Sequence, residues 1–190
     1  MVTAQLVLLV ISGMPAVGKS TAAKALADRF GLKYYCAGDA LKELAIERGY
    51  RPSGEDWWET EDGMKFLEER KKNSQFDKEV HARLVNVAKQ GKVAMTSYTA
   101  PWLVEGGIKI WLRASQEVRA RRLASRDKMP HDKALHIILE RDLENQRIYR
   151  NLYGIRFGED LSVFDFVLNT DNLTVDDVVE ILHSIVKHFV

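Results

Sequence analysis

Eight residues, Gly13-Met14-Pro15-Ala16-Val17-Gly18-Lys19-Ser20, constrain this chain more than any other stretch. They match the spacing G-x-x-x-x-G-K-[ST] of a phosphate-binding loop. Glycines at both ends let the backbone curl so that its N–H groups converge on anionic oxygens. In such a loop Lys19 reaches the β- and γ-phosphates and Ser20 offers its hydroxyl to Mg2+. The run from Gln5 to Ser12 is apolar almost throughout and suits a strand buried on both faces. After the loop, Ala22, Ala23, Leu26, Ala27 and Phe30 recur at helical spacing. The N-terminus of that helix adds its dipole to the phosphate site. The plain alternative, a glycine-rich turn with an incidental Lys-Ser, is disfavoured by the strand before it and the helix after it.

At 190 residues the chain is long enough for one α/β domain with a substantial core. Lys and Arg number 28 against 27 Asp and Glu, so the whole-chain charge gives no reason to expect a nucleic-acid partner. Cys36 is the single cysteine, which excludes an internal disulfide and points to a reducing compartment, the cytoplasm. Cys36 itself reads as a small buried apolar residue, with a reactive thiol as the alternative. The apolar run near the N-terminus has no basic region ahead of it and leads straight into the phosphate loop, so it reads as a core strand rather than a signal peptide. No apolar stretch approaches the roughly 18 residues of a membrane span.

Further along, Lys33–Cys36 reads as a short strand and Ala37-Gly38-Asp39 opens a helix through Leu41, Leu44 and Ile46. Asp39 is either the cap of that helix or a site residue just beyond the carboxyl end of a strand. Residues 50 to 73 carry Trp57, Trp58, Met64, Phe66 and Leu67 with a weak helical period that Gly63 interrupts. The two tryptophans anchor that insert or stack on a base. Ser74-Gln75-Phe76-Asp77 matches a capping box, and Phe76, Val80, Leu84 and Val87 form one stripe behind it. Lys92–Thr96 and Ile108–Leu112 read as buried strands, with Ser97–Trp102 as the loop after the first. Ser115 caps the next helix, Pro130 starts another, and Leu135, Ile138, Leu139 and Leu143 are its expected buried stripe. Val163–Asn169 is the last strand, followed by an amphipathic helix with Val178, Leu182 and Val186. Alternating strands and helices imply a parallel sheet covered on both faces. Two helical excursions leave that core, at 39–91 and 126–154, and read as flaps over a site.

A phosphate loop, helical flaps and several arginines fit phosphoryl transfer, where catalysis is mainly positioning and positive charge. A closing flap also excludes water, which would otherwise waste ATP. There is no Asn-Lys-x-Asp segment for guanine, no H-E-x-x-H, and no metal-ligand spacing among the five histidines. The Rossmann glycine pattern is absent as well.

At these residues the chain resembles the nucleoside monophosphate kinases, and most closely the archaeal type of cytidylate kinase. The resemblance is carried by Gly13 to Thr21, Ala37-Gly38-Asp39 with Lys42, Ile110-Trp111-Leu112, Glu117-Val118-Arg119-Ala120, Arg126-Asp127-Lys128, Tyr149 with Leu152-Tyr153-Gly154-Ile155, and Leu161 to Thr170. It implies a P-loop three-layer α/β/α fold with a five-stranded parallel sheet. It also implies a core over 1–38, 92–125 and 155–190, a monophosphate-binding insert over 39–91 and a lid over 126–154. On the same footing, ATP and Mg2+ are the cofactors, with Gly13 to Thr21, Arg122, Asn169 and Thr170 around ATP and Ser20 on the metal. Lys19, Arg126 and Arg141 act on the transferring group. Asp39, Lys42, Asp77, His81, Ser97, Tyr98 and Trp102 serve the acceptor.

Relatives often carry Arg where Lys42 stands, an acidic residue and an Arg where this chain has Thr96-Ser97-Tyr98, and Asp in place of His81. All three departures lie on the acceptor side, so they bear on the acceptor base rather than on ATP. The expected reaction is transfer from ATP to a nucleoside monophosphate, CMP or dCMP first, by a monomer or weak homodimer. The alternatives are a kinase for AMP or a non-nucleotide metabolite, and an ATP-binding regulatory protein that turns over no acceptor.

Overall fold

The computed structural model describes residues 7–52, 61–73 and 75–190. Its centre is β1 (Leu8–Gly13), buried at every position. A strand this apolar has no face for water, so it is paired on both edges. On one side it runs parallel to β3 (Val93–Thr96), with β2 (Lys33–Cys36) beyond; on the other it runs parallel to β4 (Ile108–Arg113), with β5 (Phe166–Asn169) beyond. The order is β2-β3-β1-β4-β5, so the carboxyl ends of all five strands share one edge.

The period-two alternation of the strands divides the core into two layers. Leu9 and Ile11 face α1 (Lys19–Phe30) and α8 (Val175–Val186), meeting Leu26, Leu182 and Val186. Leu8, Val10 and Met95 face α2 (Ala37–Glu47) and α4 (Gln75–Gln90), meeting Leu44, Phe76 and Leu84. The short α3 (Glu61–Lys72) joins this layer through Phe66, whose ring is edge-on to both Tyr50 and Phe76. Salt bridges from Arg48 to Glu79 and from Arg83 to Glu43 and Glu47 lace α2 to α4. After β3 comes one helical turn, α5 (Ala100–Leu103), where a plain loop was expected. After β4 come α6 (Gln116–Asp127) and α7 (His131–Tyr153), an antiparallel pair joined through Lys128, which lies at φ 51, and Pro130. Gly154 closes α7 in the left-handed conformation, as its position in the sequence suggests. No helix among the described residues is long and apolar enough to cross a membrane.

Several expectations shift. The N-cap of α2 is Cys36, whose Sγ accepts from Asp39 N at 3.3 Å; Asp39 is not the cap. The last strand begins at Phe166, and Asp165 instead brackets Lys109, donating to its carbonyl and accepting its N–H. On α7 the buried line is Ala134, Ile138, Asp142 and Tyr149, while Leu139 and Leu143 are 38% and 69% exposed. The helix is turned so that a carboxylate, not a leucine, faces α6, because an arginine there requires a partner. Trp57, Trp58, Ser74 of the expected capping box and the side chains of Met64 and Leu67 lie outside the described residues.

Candidate active site

The phosphate loop leaves β1 at Gly13. Its φ is 152°, and a Cβ there would stand 2.2 Å from the carbonyl oxygen of Leu112, so only glycine allows β1 and β4 to approach so closely at this point. At the far end Gly18 has φ 100° and faces open space, the mouth of the loop. Ala16 between them is also left-handed, at φ 59°, which a residue with a Cβ adopts only under constraint. Met14 packs away from the loop, its thioether against Gly158.

Lys19 is turned back over its own loop. Its Nζ donates to the carbonyls of Gly13 at 2.9 Å and Met14 at 2.8 Å and lies 4.7 Å from the centre of the Tyr98 ring. Withdrawal of the ammonium from water, together with the nearby Arg141 and Arg119, pushes its pKa down to about 7 against an opposing pull from Asp142. Burial pushes the Tyr98 phenol up, and Tyr98 rests against Tyr149 and Phe157. Ser20, in the first turn of α1, is exposed. Beside it the Tyr34 hydroxyl interacts with Ser20 and with Thr96 Oγ1, the latter at 3.2 Å, so three hydroxyls from α1, β2 and β3 gather at the carboxyl edge of the sheet.

Two arginines of α6 grip the loop from behind. Arg119 donates to the carbonyl of Pro15 at 3.2 Å and forks onto Asp142 of α7 at 2.9 and 2.6 Å; both side chains are buried. Arg122 donates to the carbonyl of Val17 at 3.2 Å and to both the hydroxyl and the carbonyl of Thr170. Beyond Arg122 opens a cavity of about 410 Å³ between α1, α6 and the start of α8. Its walls are largely apolar, from Val17, Leu123, Leu173, Val175 and Val178, and Thr21, Arg122, Arg126 and Thr170 also line it. Asn169 stands at the end of β5, its Oδ1 accepting from Asp171 N. Arg126, in the last turn of α6, pairs with the neighbouring Asp127 at 2.5 and 2.8 Å. Arg141 lies on an exposed face of α7, near enough to act electrostatically on Lys19 and Tyr98.

The other expected residues separate into two groups. Asp39 and Lys42 are one turn apart on α2, and Asp77 and His81 one turn apart on α4, so each pair shares a helix face. The His81 ring is edge-on to Tyr153 of α7 at 6.4 Å. Ser97 instead accepts from the N–H groups of Thr99 and Ala100 and shapes the turn into α5. Trp102 packs on Phe157 and Phe164 in the aromatic cluster beneath β4. Sequence reasoning passed over Tyr34 and Asp142 as site residues and took Arg119 only as part of a resemblance. Their partners lie 62, 23 and 104 residues away, so no local spacing announces them.

A G-x-x-x-x-G-K-S loop at the carboxyl end of β1, its lysine folded back over it, and a largely apolar cavity beside it on a five-stranded parallel sheet define a P-loop kinase. The chain belongs to the cytidylate kinase-like family, whose model matches residues 9–172. It is 33% identical over 186 residues to the cytidylate kinase of Methanocaldococcus jannaschii, covering 95% of this chain and 98% of that one. It is 37% identical over 183 residues to the cytidylate kinase of Sulfurisphaera tokodaii, covering 93% of each. Among solved structures it is similar to an uncharacterized protein from Eubacterium ventriosum (TM-score 0.70, 15% identity, 97% and 99% covered). It is also similar to shikimate kinase from Bacteroides thetaiotaomicron (TM-score 0.59, 16% identity, 95% and 98% covered). At those identities the structures bear on the fold alone, which is the expected five-stranded parallel P-loop arrangement.

Proposed function

We propose that this enzyme transfers the γ-phosphoryl group of ATP to CMP or dCMP. The observation that carries the reading is the phosphate loop with Lys19 at its mouth, in a chain that aligns almost end to end with cytidylate kinases. Phosphates entering the loop offer Lys19 stronger partners than the two carbonyls it now holds. The adenine base fits the apolar cavity beside Arg122 and Thr170. Ser20 is the residue that would hold Mg2+, and its hard hydroxyl oxygen, with those of Tyr34 and Thr96 nearby, suits that ion; among the described residues no group of three His, Cys, Asp or Glu side chains forms a metal cage. Mg2+ tolerates so few protein ligands because it keeps its waters and binds phosphate oxygens. Held by Ser20, the ion would supply positive charge to the β- and γ-phosphates.

Residues 39–91 serve as the acceptor-binding insert, and residues 126–154, the end of α6 with α7, as the lid. Asp39, Lys42, Asp77, His81 and Tyr98 line the acceptor side, with Ser97 and Trp102 supporting the wall that carries Tyr98. Arg126 and Arg141 supply positive charge to the transferring group once the lid closes. CMP differs from UMP in an exocyclic amine, so a pocket that accepts from that amine discriminates by leaving its acceptor unpaired with UMP. Asp77, a carboxylate buried on α4, is our candidate for that acceptor. The test is kcat/KM for CMP, dCMP, UMP and AMP at fixed ATP and Mg2+. CMP or dCMP ahead of UMP and AMP by tenfold or more supports the assignment; AMP ahead of CMP overturns it.

A further inference from the structure

We infer that Arg119 is a positioning residue that sets the peptide plane between Pro15 and Ala16, turning the N–H of Ala16 into the phosphate nest, and that Asp142 couples this clamp to α7. The inference rests on the phosphate-loop reading and assigns to a buried side chain the shape of that loop. In a trans peptide the C=O and the following N–H point in opposite directions. Whatever holds the Pro15 carbonyl therefore aims the Ala16 N–H. Arg119 Nη1 holds that carbonyl at 3.2 Å from the α6 side. Arg122 does the same one peptide pair further on, holding the Val17 carbonyl and so aiming the N–H of Gly18.

A second observation points the same way. Ala16 sits at φ 59°, where an L-residue is strained and stays only if its surroundings hold it. The Arg119 contact is on the peptide immediately before it. Arg119 in turn is not free to move: Nε donates to the carbonyl of Ala114 at 3.2 Å, while Nη1, which also holds the Pro15 carbonyl, and Nη2 fork onto Asp142. Burying this charge is costly, and a pair of apolar residues would serve packing at least as well. An arginine is required where one planar group must bridge a carboxylate and two carbonyls. Arg141 is adjacent to Asp142 in sequence, so the helix that presents Arg141 to Lys19 is pinned to the loop through the next residue.

The experiment measures ADP affinity by calorimetry with the whole chain. Arg119→Met with Asp142→Leu removes both buried charges together and keeps the site filled. Arg119→Lys keeps the charge but replaces the fork with one compact ammonium. Each is expected to fold, by circular dichroism and thermal melting, and to bind ADP about tenfold or more weakly. Adding Ala16→Gly, which adopts the left-handed conformation without strain, is expected to restore at least threefold of that loss. Folded variants that bind ADP within twofold of the parent, or a loss that Ala16→Gly does not reduce, overturn the clamp. Failure of the loop reading is distinct: the parent chain itself would then not bind ADP.

Discussion

Nucleotide binding should draw a proton onto Lys19, and the pH at which it does so can be worked out. In the free enzyme its pKa is about 7, chiefly because the ammonium has left water. A phosphate oxygen about 3 Å away contributes several kcal/mol at an effective dielectric near 20, enough to return the pKa to about 10 or above. The free amine is then about 0.9 protonated at pH 6 and about 0.1 at pH 8, while the bound one is fully protonated at both. Uptake on binding is accordingly about 0.1 proton at pH 6 and about 0.9 at pH 8, and affinity falls about tenfold across that range. Calorimetric titration of ADP in two buffers of different ionisation enthalpy gives the proton count directly. Lys19→Met provides the baseline for protons exchanged by ADP itself. Equal proton counts for parent and Lys19→Met at pH 8, or net release attributable to Lys19, would refute the reasoning.

The same lysine ties the fold to pH. Its pKa is lowered from 10.5 in the folded state, so the unfolded chain binds more protons between about 7 and 10.5, and stability of the nucleotide-free protein rises across that window. Denaturant melts should show Lys19→Met losing this rise, which for one proton is at most about 1.4 kcal/mol per pH unit. Tyr34→Phe should lower kcat about fivefold with little change in the KM for CMP, because the hydroxyl it removes is worth about 1 kcal/mol beside Ser20 and Thr96. Thr96→Val should give a similar loss that is not additive with it; full additivity would separate the two from one network. Arg141→Ala and Arg126→Ala should each lower kcat by at least about a hundredfold with a smaller change in ATP affinity. Few-fold losses at both would leave them as surface charges.

Local chemistry wrote much of this fold into the chain. The loop at 13–20 announces itself because a nest needs glycine at positions no other residue fills, and the φ values of Gly13 and Gly18 bear that out. Strand β1 is legible because a parallel strand buried on both faces must be apolar throughout. Ser115 capping α6 and Gly154 closing α7 follow from backbone groups that each helix end leaves unpaired. What the sequence did not disclose is where charge goes inside. The leucines at 139 and 143 fit the helical period, yet α7 turns Asp142 inward, since only the tertiary structure brings Arg119 opposite it. Asp39 reads equally as a cap or as a site residue until Cys36 takes the cap, and the rings of Phe157 and Phe164 that pack on Trp102 come from segments distant in sequence. Periodicity reports which face of an element is apolar and is silent on partners a hundred residues away. The grip of α6 on the carbonyls of Pro15 and Val17 is therefore a property of the assembled molecule, and it is that grip which holds the loop in shape.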